Sequence, residues 1–448
     1  MPAAGRTPPE VTAEDRRRAI DRRRVRTLRQ RKGSTIGLLW LLIGPGILAM
    51  VGENDAPSML SYAATGAQFG IGFFLPFTVV TFAMAFLVQE MTVRIGVATH
   101  RGHAELIFDR FGPSWGWFAM GDLLLGNFLT LVTEFIGIRA GLGFFGIPPL
   151  VAVLSALIAV AAAVFTGRYW TWERLALGLA VCNLMFVPVA LLAHPDWQSV
   201  GQALLTWSPL PGGLRNGTIL LMLSNIGATV TPWMLFFQQS AVADKGLTRA
   251  DVRQGRIDTA IGAGLAALCA LATIIATATL FGHLDAATVD LFQAAQFAQA
   301  IEPYVGHIGA ALFALGIFEA GLVAALTIST SSAYAFGEVV GKAHSLNRSV
   351  REAPPFYGVL LLLAALAAGL VLIPGMPLQF MVLIVNVIAV LAMPPALVFL
   401  YLLANDREVM GDLRNSRLSN ALTGMVVVFL VAAGLAFAVS VLAPQLFS

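Results

Sequence analysis

The chain has 448 residues, of which 57% are hydrophobic and 12% charged, with a mean hydropathy of +0.78 and a formal net charge of +3. That composition excludes an ordinary soluble domain and predicts a polytopic helical membrane protein. The pI near 9.1 is not a nucleic-acid signature here. The basic residues sit in an amino-terminal tail and in short loops, a distribution that suits an anionic cytoplasmic leaflet.

Residues 1–34 hold Arg16, Arg17, Arg18, Arg22, Arg23, Arg24, Arg26, Arg29, Arg31 and Lys32 with little apolar content. They read as a basic cytoplasmic tail, since no cleavage site follows a short apolar region. Residues 35–448 read as one membrane domain. Eleven apolar spans follow, each near the ~20 residues that a bilayer requires or longer. They run over residues 36–53 continuing as 57–67, 72–97, 115–145, 149–166, 173–193, 217–229 continuing as 232–242, 255–281, 304–341, 355–373, 378–403 and 418–443. With the amino terminus inside, every Lys and Arg of the 28 falls on the cytoplasmic side except Arg139 and Arg215. Removing or adding one span scrambles that asymmetry, so the count and the orientation support each other. The carboxyl terminus is then extracytoplasmic, and the host membrane is the plasma membrane.

Two spans are interrupted. In the first, Gly52-Glu53-Asn54-Asp55-Ala56-Pro57-Ser58 puts two carboxylates, an amide, a hydroxyl and a proline into an apolar run. Charge at that depth is expensive and faces a cavity or a bundle interior, and Pro57 removes a backbone donor. In the sixth, Ser224-Asn225-Ile226-Gly227-Ala228-Thr229-Val230-Thr231-Pro232-Trp233 again sets small, polar and proline residues at mid-helix. The first and sixth spans lie five apart and therefore run in opposite orientation. This predicts two inverted five-helix repeats, residues 36–193 and 217–403, with an extra helix at 418–443 and a cation site where the breaks meet.

These residues resemble the Nramp family of divalent-metal transporters, which share a leucine-transporter-like fold. The family's Asp-Pro-Gly-Asn motif falls on Asp55-Ala56-Pro57-Ser58, and its Ala-x-x-Met-Pro-His motif on Ala228-Thr229-Val230-Thr231-Pro232-Trp233. Arg94-Ile95-Gly96-Val97-Ala98-Thr99, Trp172-Glu173-Arg174 with His194-Pro195-Asp196-Trp197, and Asp406-Arg407-Glu408-Val409-Met410-Gly411 resemble family loops. The resemblance covers residues 36–440. It implies an all-helical transporter working by alternating access and not an enzyme.

The departures narrow the expectation. Of the family's usual ligands only Asp55 and the Ala228 carbonyl remain; Ser58 stands for the asparagine and Thr231 for the methionine. A thioether favours softer transition metals, whereas hydroxyls, carbonyls and carboxylates favour hard ions such as Mg²⁺, which keeps several of its waters. The pattern resembles the prokaryotic Nramp-related magnesium transporters. The proton machinery is reduced as well, because Trp233 replaces the histidine and Leu131 an aspartate, while Glu134 remains.

The candidate metal ligands are Asp55, Ser58, Ala228, Thr231, Glu53 and Asn54. Asn386, Thr229 and Trp233 are candidates for water-mediated contact, and Glu134 and Glu319 for residual coupling. Mg²⁺ enters as transported substrate, Mn²⁺ is a second possible cargo, and no cofactor is expected. The expected unit is a monomer in a lipid bilayer with no nucleic-acid partner. Two alternatives stay open at this point: a proton-coupled Mn²⁺ or Fe²⁺ symporter, and a sodium-coupled organic-solute symporter or membrane sensor on the same scaffold. Glu90 and Arg94, four residues apart, predict a local ion pair. Cys182 and Cys269 read as core residues, and the six histidines as loop or span-end residues. Gly141, Gly143, Gly262 and Gly264 predict close helix packing.

Overall fold

The computed structural model describes residues 41–210, 216–283, 294–376 and 378–442, with isolated positions at 23, 25, 27, 37 and 213. Most of the basic tail, the loop containing Asp285 and Asp290, and residues 443–448 lie outside them. The described chain is all-helical.

Span 1 is split into α1 (Pro45–Gly52) and α2 (Ala56–Phe69). Span 2 is α3 (Phe74–Thr99), and a connecting helix α4 (His103–Phe111) leads to span 3, α5 (Pro113–Gly143). Span 4 is α6 (Pro149–Val164). Span 5 is α7 (Tyr169–Ala180), a 3₁₀ stretch Val181–Met185, and α8 (Phe186–Leu192). A second connecting helix, α9 (Trp197–Thr206), precedes span 6, which is split into α10 (Asn216–Gly227) and α11 (Pro232–Lys245). Then come α12 (Val252–Thr277), α13 (Ala294–Val340), α14 (Pro354–Val371), α15 (Leu378–Asn405), the short α16 (Arg407–Met410) and α17 (Arg417–Leu442).

The boundaries follow local chemistry. Proline opens α1, α5, α6, α11 and α14, where its missing N–H costs nothing. Asp196 and Asp406 cap α9 and α16 by accepting backbone N–H groups. Three details depart from the hydropathy reading. Helices α4, α9 and α16 occupy stretches read as loops, because their amphipathic or capped turns are too short or too polar to register as spans. Span 5 passes through 3₁₀ geometry at Asn183 and is not uniform. The helix read as beginning near residue 304 begins at Ala294 and is interrupted at Gly306, whose φ of 71° only glycine adopts without strain.

Seven described helices are long and apolar enough to cross a bilayer by length and composition, and the split and shorter helices complete the bundle. The centre is formed by α12 packed along α1, α2 and α3, and by α13 packed along α5. Small residues permit this approach. A Cβ at Gly262 would stand 2.8 Å from the Ile47 Cα, one at Gly46 2.6 Å from the Thr259 N, and one at Gly141 2.6 Å from the Ala314 O. Gly143 and Gly264 face open space and serve no such contact.

Candidate metal site at the paired helix breaks

Helix α1 stops at Gly52, and the chain passes through Glu53 and Asn54 before Asp55 caps α2. One Asp55 carboxylate oxygen accepts the Ser58 N–H at 2.9 Å. This capping chemistry favours an acid at that position. Thr231 occupies the equivalent place before α11, yet its hydroxyl makes no cap. It donates instead to Glu53 Oε2 at 2.6 Å. That bond ties the two breaks together across the bundle.

Glu134 of α5 accepts the Ala56 N–H at 3.0 Å. It brings a third carboxylate into electrostatic reach of Asp55 and Glu53. The Ala228 carbonyl, released by the end of α10, accepts the Tyr62 hydroxyl at 2.9 Å. Glu53, Asn54, Ser58, Glu134, Ala228 and Thr229 are completely buried, and Asp55 and Thr231 nearly so. The centre is therefore closed on both sides. Within it Glu53 Oε1, Glu134 Oε1 and the Ser58 hydroxyl are buried without a hydrogen-bond partner. Native structures rarely leave such atoms unsatisfied unless an ion or water completes them. Among the described residues no three His, Cys, Asp or Glu side chains stand in direct metal-holding geometry.

The other sequence candidates are placed differently. Asn54 turns its amide to Asn183 Oδ1 at 3.2 Å and to the Ala266 carbonyl at 2.9 Å. Glu319 accepts from Asn183 at 3.4 Å, so it joins Asn54 and Asn183 in a separate polar group. The Thr229 hydroxyl returns to the Asn225 and Ile226 carbonyls. The Trp233 indole lies against Gly52, where an added Cβ would stand 3.2 Å from it. Asn386 lies on α15, with its side chain outside the described ones.

Sequence reasoning missed Tyr62 and Asn183, although both are polar groups inside apolar runs. It also missed a charged latch at the basic end of the bundle. Glu173, read as part of a loop, is fully buried and receives Lys245 Nζ at 2.8 and 2.9 Å. Lys245 also donates to the Ile43 carbonyl. Asp258 accepts the N–H groups of Gly44, Gly46 and Ile47, the amino terminus of α1, at 2.7 to 3.2 Å. Spans 5, 6 and 7 thus grip the end of α1. The Glu90–Arg94 pair forms as its spacing predicts and is extended by Arg256. His103, read as a loop residue, is buried on α4 against Phe236, and burial pushes its imidazole down to about 4. It is neutral at physiological pH. Glu302 pairs with His307 at 3.0 Å.

Broken helices in spans 1 and 6 around a buried polar centre are the architecture of the leucine-transporter-like membrane fold. The solved structures agree. The manganese transporter of Eremococcus coleocola, in complex with an aromatic bis-isothiourea compound, superposes with a TM-score of 0.75 at 21% identity, over 91% of this chain and 87% of that one. MhsT in complex with L-phenylalanine gives 0.55 at 15%, over 87% and 98%. The family model for natural resistance-associated macrophage protein-like chains matches residues 46–440. The chain belongs to the Nramp family. Its curated relatives include the divalent metal cation transporters MntH of Yersinia enterocolitica, 26% identical over 87% of this chain and 92% of that protein, and of Klebsiella pneumoniae, 27% identical over 87% and 91%.

Proposed function

We propose that the chain carries divalent metal ions, Mg²⁺ foremost, into the cell by alternating access at the paired breaks. One observation carries the reading: where the family's methionine stands, Thr231 presents a hydroxyl bonded to the Glu53 carboxylate. The donors around the closed centre are thus the carboxylates of Asp55, Glu53 and Glu134, the hydroxyls of Ser58 and Thr231, and the Ala228 carbonyl. Such a hard oxygen set suits Mg²⁺ over softer metals. Asp55 supplies the main charge, and the small side chains of Ser58 and Thr231 suit an ion that keeps part of its water shell.

Uptake proceeds down the electrochemical gradient without proton coupling. Two charges crossing ~100 mV of inside-negative potential release about 4.6 kcal/mol, which suffices for influx. Trp233 cannot titrate in place of a histidine, and His103 is held neutral outside the span. The orientation sets the basic tail in the cytoplasm and the Lys245 latch at the cytoplasmic end of the bundle of a plasma-membrane protein.

The test is uptake by purified protein in liposomes across Mg²⁺, Mn²⁺, Ca²⁺ and Cd²⁺, with a pH-sensitive dye inside. Mg²⁺ entry without acidification is expected. Metal-driven acidification would instead favour the proton-coupled alternative, with Glu134 or Glu319 as the carrier.

A further inference from the structure

A second buried polar group lies at the span 1 break, assembled from spans 1, 5, 7 and 8 and built from side chains other than those around Asp55. Asn54 Nδ2 donates to Asn183 Oδ1 at 3.2 Å and to the Ala266 carbonyl at 2.9 Å. Asn183 Nδ2 in turn donates at 3.4 Å both to the Asn54 backbone carbonyl and to Glu319 Oε2. Two oxygens that share one nitrogen at that reach stand at most twice 3.4 Å, or about 7 Å, apart. Both bonds are longer than an ordinary N–H···O bond, so the amide does not fully satisfy the carboxylate.

Asn54 is completely buried, and Asn183 and Glu319 are 2% and 4% exposed. Within the group Glu319 Oε1 and Asn54 Oδ1 have no hydrogen-bond partner. Among the described residues no basic side chain pairs with Glu319. A lone carboxylate inside the bilayer calls for a counter-charge, and buried oxygens without partners call for an ion or water. The backbone is irregular at this point too, since Asn183 belongs to the 3₁₀ stretch Val181–Met185 inside span 5. Such stretches in mid-helix often mark a functional position.

We infer that this group binds one monovalent alkali cation. Glu319 supplies the charge, and Asn54 supplies neutral oxygens through its unpartnered amide oxygen and its carbonyl at the break. These hard donors suit alkali and alkaline-earth ions. A single carboxylate balances one positive charge and leaves a divalent ion half compensated in a dry interior. The three carboxylates around Asp55 present the opposite balance. An ion held here ties the break of span 1 to span 8, where the chain alone offers only the two long Asn183 bonds. The site is independent of which metal is carried at Asp55.

The test uses the purified full-length protein, with Na⁺ as the probe. Melting temperature is read as NaCl replaces choline chloride at fixed ionic strength, and binding of radiolabelled Na⁺ is measured in parallel. A saturable rise of about 2–4 °C is expected in wild type, and it should persist in Asp55→Asn. Glu319→Gln keeps the size of the side chain but removes its charge, and should abolish both the rise and the Na⁺ binding. Asn54→Leu removes the neutral oxygen of the side chain and should weaken Na⁺ binding about tenfold. Absence of a Na⁺ response in wild type would overturn the proposal. So would a response that survives Glu319→Gln, or one lost in Asp55→Asn while Glu319→Gln retains it.

Discussion

Two buried charged centres bracket α1, and they are built on opposite principles. At its basic end, Glu173 meets Lys245, and Asp258 receives three backbone N–H groups. Every charge there has a partner of the chain's own. At its other end, Glu53, Asp55 and Glu134 gather with only hydroxyl and backbone donors, and two carboxylate oxygens remain unpartnered. A buried carboxylate without a counter-charge is strongly disfavoured. The first centre is complete within the chain, while the second is the one we propose a cation completes.

Breaking the latch gives the largest effect on stability. Lys245→Met leaves Glu173 uncompensated and should cost about 3–5 kcal/mol, read as a drop in the melting temperature of purified protein. The double variant with Glu173→Met should recover most of the loss. If the single variant is as stable as wild type, the latch does not hold α1.

At the carboxylate centre the effect falls on selectivity. Thr231→Met restores a soft donor and releases Glu53 from its hydroxyl partner. It should strengthen Mn²⁺ or Cd²⁺ relative to Mg²⁺ by about tenfold, or about 1.4 kcal/mol in binding, measured by calorimetry. An unchanged ratio would remove the argument from ligand softness. Smaller still is Tyr62→Phe, which removes one hydrogen bond from the Ala228 carbonyl. A loss of about 1 kcal/mol in stability is expected, with Mg²⁺ uptake retained; abolished uptake would make Tyr62 part of the ion path.

The carboxylate centre was legible in the sequence because its residues break rules locally. Acids and prolines inside an apolar run announce themselves, and the odd spacing of the two breaks supplies their relative orientation. Asp55, Ser58 and Thr231 could be named from motif position alone, but the Thr231–Glu53 bond could not, since it joins residues 178 positions apart. The latch was illegible for the opposite reason. Glu173 and Lys245 sit among loop-like charges near span ends, and nothing in either neighbourhood marks them as buried until the fold brings them together. Asn54 illustrates a third limit. It stands between two candidate acids, yet a helix break turns successive side chains in different directions, and its amide faces spans 5 and 7.

Asp55 is the charge on which the proposed Mg²⁺ site depends, and Mg²⁺ uptake into liposomes containing wild type or Asp55→Asn tests it. Asparagine keeps the size and a capping oxygen for α2 while removing the charge. With melting temperatures matched, uptake is predicted to fall to the level of empty liposomes. Uptake equal to wild type would contradict the account.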